Sequence, residues 1–161
     1  MVKVGVVFGR GVDDPGDYLA DARALEAADV DSVWIAAAAS GEMLLSAIAA
    51  VTSRIRLVLL SATTYEAASL DASLETLQRL SRSRALLAVD GEELAEVLMP
   101  AAERWLHVPA PQDRSSWRNA LERSVAAGAA GVLVPQDARL LDILRRPQEE
   151  DDRSDLVLSQ G

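Results

Sequence analysis

The chain contains no cysteine and only one histidine, His107. Disulfide bonds and thiolate metal ligands are therefore excluded, and a site built from several histidines cannot form within one chain. We expect no metal site. Phenylalanine, tryptophan and tyrosine together make up 4% of the residues, so the core must be built mainly from alanine, valine and leucine.

Basic residues are also scarce, with 16 Lys and Arg against 25 Asp and Glu, a net charge of −9 and a pI near 4.6. A nucleic-acid-binding protein needs a basic face to meet the phosphate backbone, so nucleic acid is excluded as a partner. No apolar run approaches the length of a membrane-spanning helix. The first apolar residues meet Arg10, Asp13 and Asp14 too early for a secretion signal. We therefore expect a cytoplasmic protein with no membrane segment.

The hydrophobic content is ample for a folded core. Half of the 161 residues are hydrophobic, and a chain of this length has room for one domain. The sequence therefore predicts a single domain over residues 1–161.

The central segment predicts a parallel βαβ unit. Ile55–Leu60 is apolar with little polar alternation, which is typical of a strand buried on both faces of a parallel sheet. Leucines then recur at helical spacing, and a second apolar run, Ala85–Val89, follows within a few residues. The leucines are Leu70, Leu74, Leu77 and Leu80. Strand, crossover helix and strand in this order form a right-handed parallel unit.

The rest of the chain continues this alternation of strands and helices. Further strands are predicted at Lys3–Phe8, Ser32–Ala36, Leu106–Pro109 and Asp155–Ser159, and Ala126–Pro135 is predicted to contain a helix end, a turn and a strand. Further helices are predicted from Asp17, over Glu42–Val51, over Gly91–Trp105 and over Ala138–Arg145, and another follows a cap at Asp113, Ser115 or Ser116 and has Trp117, Leu121 and Val125 as its apolar stripe. About seven strands in this order predict an α/β fold, either a reduced or incomplete TIM-like (βα) barrel or an open Rossmann-like parallel sheet.

Four segments resemble the luciferase-like monooxygenase family. ARALEAADVDSVWI at Ala22–Ile35 is similar to the family pattern ARRAEELGFDSVWV, and TSRIRL at Thr52–Leu57 is similar to TSRIRLG. ETLQRLS at Glu75–Ser81 and RALLAV at Arg84–Val89 are similar to the TLDRLSGGR and LGVG that follow in the family. The order of the segments also agrees with the family.

The resemblance implies an oxidoreductase that uses FMN or the deazaflavin F420, with a small organic molecule as substrate. Family members are commonly about twice as long, which favours the reduced barrel over a complete eight-unit one. The resemblance also implies a homodimer formed through the helices Glu42–Val51 and Ser69–Ser81. The apolar character of Glu42–Val51 is equally explained if this helix is buried within its own monomer.

Candidate cofactor-binding residues lie where the predicted strands end, because parallel barrels and sheets bind ligands at the carboxyl ends of their strands. Ser61, Thr63, Thr64 and Tyr65 follow the third strand and offer hydrogen bonds to a ring system, unless they form an ordinary polar turn. Arg10 follows the first strand and is a candidate phosphate ligand or a solvated loop residue. Gly91 follows the fourth strand, but a single glycine is a weak signal.

Other strand ends lack the expected chemistry. Ala37, Ala38 and Ala39 stand where the resembling family often has an acidic residue and a histidine, and alanine offers no side-chain hydrogen bond. Asp90, Glu92 and Glu93 surround Gly91 and would repel a phosphate. We interpret Asp90 and Glu92 as residues that open a helix rather than as an acid and base, and His107 as a packed structural residue.

Two functions therefore remain open. The first is a shortened luciferase-like oxidoreductase dependent on FMN or F420. The second is a dimeric scaffold or regulatory protein of the same family that has lost its cofactor and its activity. The sequence assigns no catalytic residue.

Overall fold

The computed structural model describes residues 2–9, 14–99 and 101–145. Within these ranges the chain forms seven strands and six helices. The strands are β1 (Lys3–Val7), β2 (Ser32–Ala36), β3 (Arg56–Ser61), β4 (Ala85–Val89), β5 (Leu94–Met99), β6 (Glu103–His107) and β7 (Gly131–Pro135). The helices are α1 (Pro15–Ala27), α2 (Ala39–Val51), α3 (Thr64–Ala68), α4 (Asp71–Ser81), α5 (Arg114–Ala126) and α6 (Ala138–Arg145).

The seven strands form a closed barrel. Neighbouring strands pair in chain order, and β1 returns to pair with β7 over five residues. The first four strands are parallel, as the sequence predicts, and so are the β6–β7 and β7–β1 pairs. The β4–β5 and β5–β6 pairs are antiparallel. The prediction of a reduced barrel with parallel strands is confirmed for the closed barrel and for five of the seven strand pairs, it is wrong for the two antiparallel pairs, and the open-sheet alternative is wrong.

The predicted helix over Gly91–Trp105 is wrong, because this segment forms β5 and most of β6. Leu94, Val97, Leu98 and Ala101 match a helical stripe, but the same stretch also alternates with a period of two. Ala95 and Val97 are buried inside the barrel, whereas Glu96 between them is exposed. The two strands fill the gap between β4 and β7, so tertiary pairing decides between two local patterns. The strand predicted at Leu106–Pro109 is in fact the end of β6.

The other predicted elements within the described residues agree with the structure to within a few residues. The first helix begins at Pro15, two residues earlier than predicted, with Asp14 as its N-cap. The leucine-rich helix is α4, preceded by the additional short helix α3, and Leu80 is 56% exposed rather than part of the buried stripe. Asp113 caps α5 in a capping box with Ser116. The strand predicted at Asp155–Ser159 lies outside the described residues.

Two tryptophans fill the middle of the barrel. Trp34 on β2 and Trp105 on β6 are fully buried and meet edge to face, with ring centroids 5.3 Å apart. Each indole lies against a glycine, because a Cβ at Gly5 would come within 2.6 Å of Trp34 Nε1 and one at Gly131 within 2.6 Å of Trp105 Cζ3. The interior is therefore a packed core rather than a channel.

The end of the barrel where the parallel strands begin is closed by charged side chains. Arg56 pairs with Asp31 and Glu103, and Lys3 donates to Glu103 at 2.6 Å. The Arg56 guanidinium also lies 5.6 Å from the centre of the Trp105 ring. Burial raises the pKa of Glu103, but the hydrogen bonds from Lys3 and Arg56 outweigh this effect, so the pKa is lowered overall. Two cations and two carboxylates thus balance at this end.

Arg84 and Glu26 connect the helices to this same end of the barrel through hydrogen bonds to backbone groups. Arg84 donates to the backbone carbonyls of Ala49, Thr52, Ile55 and Ser81, which are mostly acceptors near the C-termini of α2 and α4. Glu26 on α1 accepts three backbone N–H groups from residues 53–55. This end of the molecule is therefore built for stability.

Helix α2 buries most of its apolar side chains within the monomer. Leu44, Leu45 and Ile48 are no more than 8% exposed, and α2 packs against both α1 and α4. Met43 on the same helix remains 68% exposed. Monomer burial thus accounts for much of the helix, and the dimer stays a prediction. Among the described helices none is long and apolar enough to cross a membrane.

Candidate functional site

The candidate site is the mouth of the barrel at the carboxyl ends of the parallel strands. Ligands of (βα) barrels bind at this end, where the loops following the strands meet. In the described chain the mouth is bordered by short connections, including Ala37–Ala38 after β2, Ala62–Thr63 after β3 and Asp90–Glu93 after β4. Short connections leave the mouth with few side chains that reach over it.

Asp90 and His107 face each other across this mouth. His107 Nε2 lies 3.0 Å from Asp90 Oδ1. Strand alternation brings them together: Glu103 and Trp105 point into the barrel, so His107, two residues further along β6, points to the same side at the rim. The His107 side chain is 30% exposed. His107 is therefore partly buried at the rim rather than packed in the core, and a structural role for it stays a prediction.

Sequence reasoning missed this pair because it assigned Gly91–Trp105 to a helix. A helix removes the alternation that places Trp105 and His107 on one side of a strand. The signal that identifies the pair is the position of both residues at the ends of apolar runs, Ala85–Val89 and Trp105–Leu106. An aspartate that orients an imidazole is a common arrangement in proton transfer, but the structure brings no nucleophilic side chain into bonding contact with either residue within the described chain.

The connection from β4 to β5 is a tight turn at the same mouth. Asp90 N donates to the carbonyl of Ser61 at 2.7 Å, and His107 N donates to the carbonyl of Glu93 at 2.9 Å. Asp90 Oδ1 also accepts the backbone N–H of Gly91 at 3.1 Å. Because no helix begins here, the interpretation of Asp90 and Glu92 as residues that complement a helix dipole is wrong. Glu92 and Glu93 are exposed on the turn.

The residues after β3 mostly satisfy one another. The Ser61 hydroxyl is buried and donates to the carbonyl of Thr63 at 2.9 Å. Thr63 Oγ1 accepts the N–H of Glu66 and caps α3. Thr64 is exposed, and Tyr65 lies in the first turn of α3. Two of the four candidate hydrogen-bonding residues are thus engaged in local turns, as in the alternative of an ordinary polar turn. Arg10 lies outside the described residues.

A small cavity opens beside the ends of β1 and β2. It measures about 190 Å³ and lies between these strand ends and the start of α2. Its lining is mostly apolar and includes Phe8, Ile35, Leu44 and the alanines Ala36–Ala38, with Ser40 as the polar side chain. Pockets for drug-sized ligands usually measure about 300–1,000 Å³. The cavity is therefore too small to enclose a flavin.

Larger recesses lie away from the mouth interior. A recess of about 470 Å³ between α1 and α6 is lined by Val6 on the outer face of β1, by Leu25 on α1, and by Asp21, Asp137 and Asp142. A recess of about 440 Å³ lies at the opposite end of the barrel, around Val51, Leu80 and Arg82. Arg145 also lines the first recess, beside its three aspartates, and Arg84 lines the second, which lies at the end of the barrel opposite the mouth. No group of three or more potential metal ligands occurs in the described chain.

These observations do not fit FMN or F420. The Asp90–Glu93 turn presents carboxylates where a phosphate would need donors, and Gly91 is not free for close approach. A Cβ at Gly91 would overlap the carbonyl oxygen of Leu94, so the glycine is required by the turn itself. Alanines occupy positions 37–39 after β2, and Ser61 and Thr63 after β3 are engaged in local hydrogen bonds, while Thr64 is exposed. We therefore derive no chemical step through either cofactor.

Comparisons with known proteins give limited similarity. No family model matches the chain, and no curated protein matches it. The solved structure of coenzyme F420-dependent tetrahydromethanopterin reductase from Methanopyrus kandleri is similar over 56% of this chain and 28% of its own length, with 20% identity and a TM-score of 0.47. The oxygenating constituent of 3,6-diketocamphane monooxygenase from Pseudomonas putida, a type II Baeyer-Villiger monooxygenase in complex with FMN, is similar over 56% of this chain and 30% of its own, with 17% identity and a TM-score of 0.44. The matched part thus spans less than a third of each of these proteins.

Proposed function

We propose that this chain is a shortened protein of the luciferase-like monooxygenase family. The observation that carries the proposal is the agreement between the four family-like segments and the barrel. The segment Ala22–Ile35 covers the end of α1 and most of β2, and Thr52–Leu57 leads into β3. Glu75–Ser81 lies in α4, and Arg84–Val89 is β4 with the residue before it. They occupy successive parallel units in the order of the family pattern.

Of the two functions that the sequence leaves open, the geometry best supports a scaffold or regulatory protein without FMN or F420. Trp34 and Trp105 fill the interior, the cavity beside β2 is small and apolar, and the turn after β4 is acidic. The buried framework keeps the family-like segments, whereas the described part of the mouth presents the carboxylates of the Asp90–Glu93 turn and alanines where an anionic cofactor would need donors. We therefore propose that the chain functions by binding a protein partner through its outer helices rather than by redox chemistry.

The proposed partner is a second copy of the chain, bound through α2 and α4. Met43 on α2 is 68% exposed and Leu80 on α4 is 56% exposed, whereas most other large apolar side chains of these helices are buried. Val51 and Leu80 line the same recess, so exposed apolar side chains of both helices lie near each other there. Isolated exposed apolar residues are common on monomers, and the occurrence of three on two adjacent helices supports an interface at this surface.

The second candidate is an oxidoreductase that uses FMN or F420 on a small organic substrate. Its support is the position of the cavity at the strand ends where (βα) barrels bind their ligands, although its volume of about 190 Å³ is too small to enclose the cofactor. In such an enzyme the cofactor supplies the redox chemistry and the protein orients it.

A spectrum and two titrations separate the two functions. The purified protein is examined for flavin absorbance and then titrated with FMN and with F420. The scaffold predicts a colourless protein and no saturable binding of either cofactor at high micromolar concentration. A yellow protein, or saturation at micromolar cofactor, would reject the scaffold and support the oxidoreductase.

A further inference from the structure

The turn Asp90–Glu93 is held in place from both sides of the barrel mouth. Its first residue is bonded through the backbone to Ser61 at the end of β3, at 2.7 Å, and its last residue to the backbone of His107 at the end of β6, at 2.9 Å. The side-chain contact between Asp90 and His107 adds a third tie at 3.0 Å. The turn is therefore a fixed part of the rim, and its charges are held at a defined place.

The charges on this turn lack the usual structural explanation. Acidic residues often stand at helix N-termini, where the dipole stabilises them. Glu66 and Asp71 in the first turns of α3 and α4 are examples. Glu92 and Glu93 instead precede β5, and strands carry only small net dipoles. Both are exposed to solvent at the mouth.

We infer that the β4–β5 turn determines the charge selectivity of the mouth and that its carboxylates keep phosphate-bearing ligands such as FMN and F420 away from it. Asp90 is oriented by His107, while Glu92 and Glu93 are free to repel an approaching anion. Repulsion of this kind acts over roughly a Debye length, about 8 Å at physiological ionic strength. The inference rests on the proposed function in that both place the lost cofactor site at this mouth.

FMN and riboflavin form a matched pair of probes, because they share the ring system and the ribityl chain and differ by the phosphate. Binding is followed by NMR through the amide of Gly91 and the ring protons of His107, which is the chain's only histidine. The proteins are the native chain, Glu92→Lys, Glu93→Lys, the double variant, and the neutral pair Glu92→Gln with Glu93→Gln. Glu122→Lys, at an exposed position on α5, controls for the change in net charge.

The inference makes a prediction about the ratio of the Kd for riboflavin to the Kd for FMN. This ratio should be at least about tenfold higher in the variant that carries both Glu92→Lys and Glu93→Lys than in the native chain. The glutamine pair should give a smaller change in the same direction, and it serves if the lysine variant does not fold. High salt should remove the gain, because electrostatic steering is screened.

The inference would be overturned if the ratio of the two dissociation constants were the same in the native chain and the variants. It would also be overturned if no variant bound either probe detectably. Both results would leave the scaffold proposal intact. Micromolar FMN binding by the native chain would reject both the scaffold proposal and the inference, because the native carboxylates would then not keep this phosphate-bearing ligand away.

Discussion

Trp34 and Trp105 meet edge to face at 5.3 Å inside the barrel, although they are 71 residues apart in the chain. Both indoles are fully buried, and the other described hydrophobic residues of the barrel interior that pack around them are aliphatic. Trp34 also donates its indole N–H to Ser32 at 2.8 Å, so the polar atom of the buried ring is satisfied. The pair depends on small residues opposite each ring.

Gly5→Ala should therefore destabilise the protein. The added methyl group would lie 2.6 Å from Trp34 Nε1 and would have to displace a packed indole. Overpacking of this kind costs about 1–3 kcal/mol of the free energy of unfolding, which urea unfolding followed by tryptophan fluorescence will measure. Gly9→Ala is the matched control, since a Cβ there meets nothing within 4 Å. Equal stability of the two variants would contradict the packing argument.

Relief of backbone strain after α4 should stabilise the protein. Arg82 and Ser83 have positive φ values of 56° and 65°, and the resembling motif TLDRLSGGR has glycines at these two places. A non-glycine residue in this conformation is disfavoured by roughly 1–2 kcal/mol, although glycine also raises the entropy of the unfolded chain. We expect Arg82→Gly and Ser83→Gly each to raise the free energy of unfolding by about 0.5–1 kcal/mol.

Arg79→Gly supplies the control for that prediction, because it places glycine inside α4 rather than after it. Glycine in a helix interior costs about 1 kcal/mol relative to alanine. In chemical unfolding, the free energy of unfolding should therefore be higher for Ser83→Gly than for the native chain, and lower for Arg79→Gly. A loss of stability in Ser83→Gly would show that the positive φ carries no strain.

Glu103 should make stability depend on pH in the acid range. Its pKa is lowered from 4.5 in the folded chain, because the hydrogen bonds from Lys3 and Arg56 outweigh the effect of burial. A lowered folded pKa stabilises the protein above the unfolded pKa, and this stabilisation is lost as the pH falls through the folded value. The contribution is therefore complete at neutral pH and declines below about pH 4.5.

Glu103→Gln tests this linkage. Urea unfolding between about pH 3 and pH 7 should show lower stability for the variant at neutral pH and a gap that narrows as the pH falls. Glu122→Gln changes an exposed residue of α5. Its free energy of unfolding should vary with pH nearly in parallel with that of the native chain. A gap for Glu103→Gln that is constant over the whole range would contradict the assignment.

The sequence predicts the parallel half of the fold well because each element there has one dominant local pattern. Leu57–Leu60 is buried on both faces, and Leu74 and Leu77 are buried at helical spacing. The β5–β6 region fails because its leucines and alanines fit two periods, and only the closure of the barrel selects the strand. The candidate site suffers from the same error, since the Asp90–His107 pair exists only when both residues end strands of one barrel.

The candidate residues after β3 were predicted by position but not by role. Position follows from the end of an apolar run, which the sequence shows directly. Role depends on which partner each hydroxyl finds, and for Ser61 and Thr63 the partners are backbone groups two and three residues away. Hydroxyl side chains readily form such local bonds, so the residue types alone do not separate a ligand site from a turn.

The proposed homodimer makes the last prediction, and the structure determines which residues test it. Ile48 and Leu44 are buried inside the monomer, so arginine at either position would unfold the chain whether or not a dimer forms. Met43 and Leu80 are 68% and 56% exposed, and arginine there leaves the monomer core intact. We expect Met43→Arg combined with Leu80→Arg to convert a dimer into a folded monomer in sedimentation experiments. Val125→Arg, at a position 64% exposed on α5, should leave the dimer unchanged. If the double variant keeps the dimer mass, α2 and α4 do not form the interface, whereas loss of the dimer with an unchanged circular dichroism spectrum places the contact on these two helices.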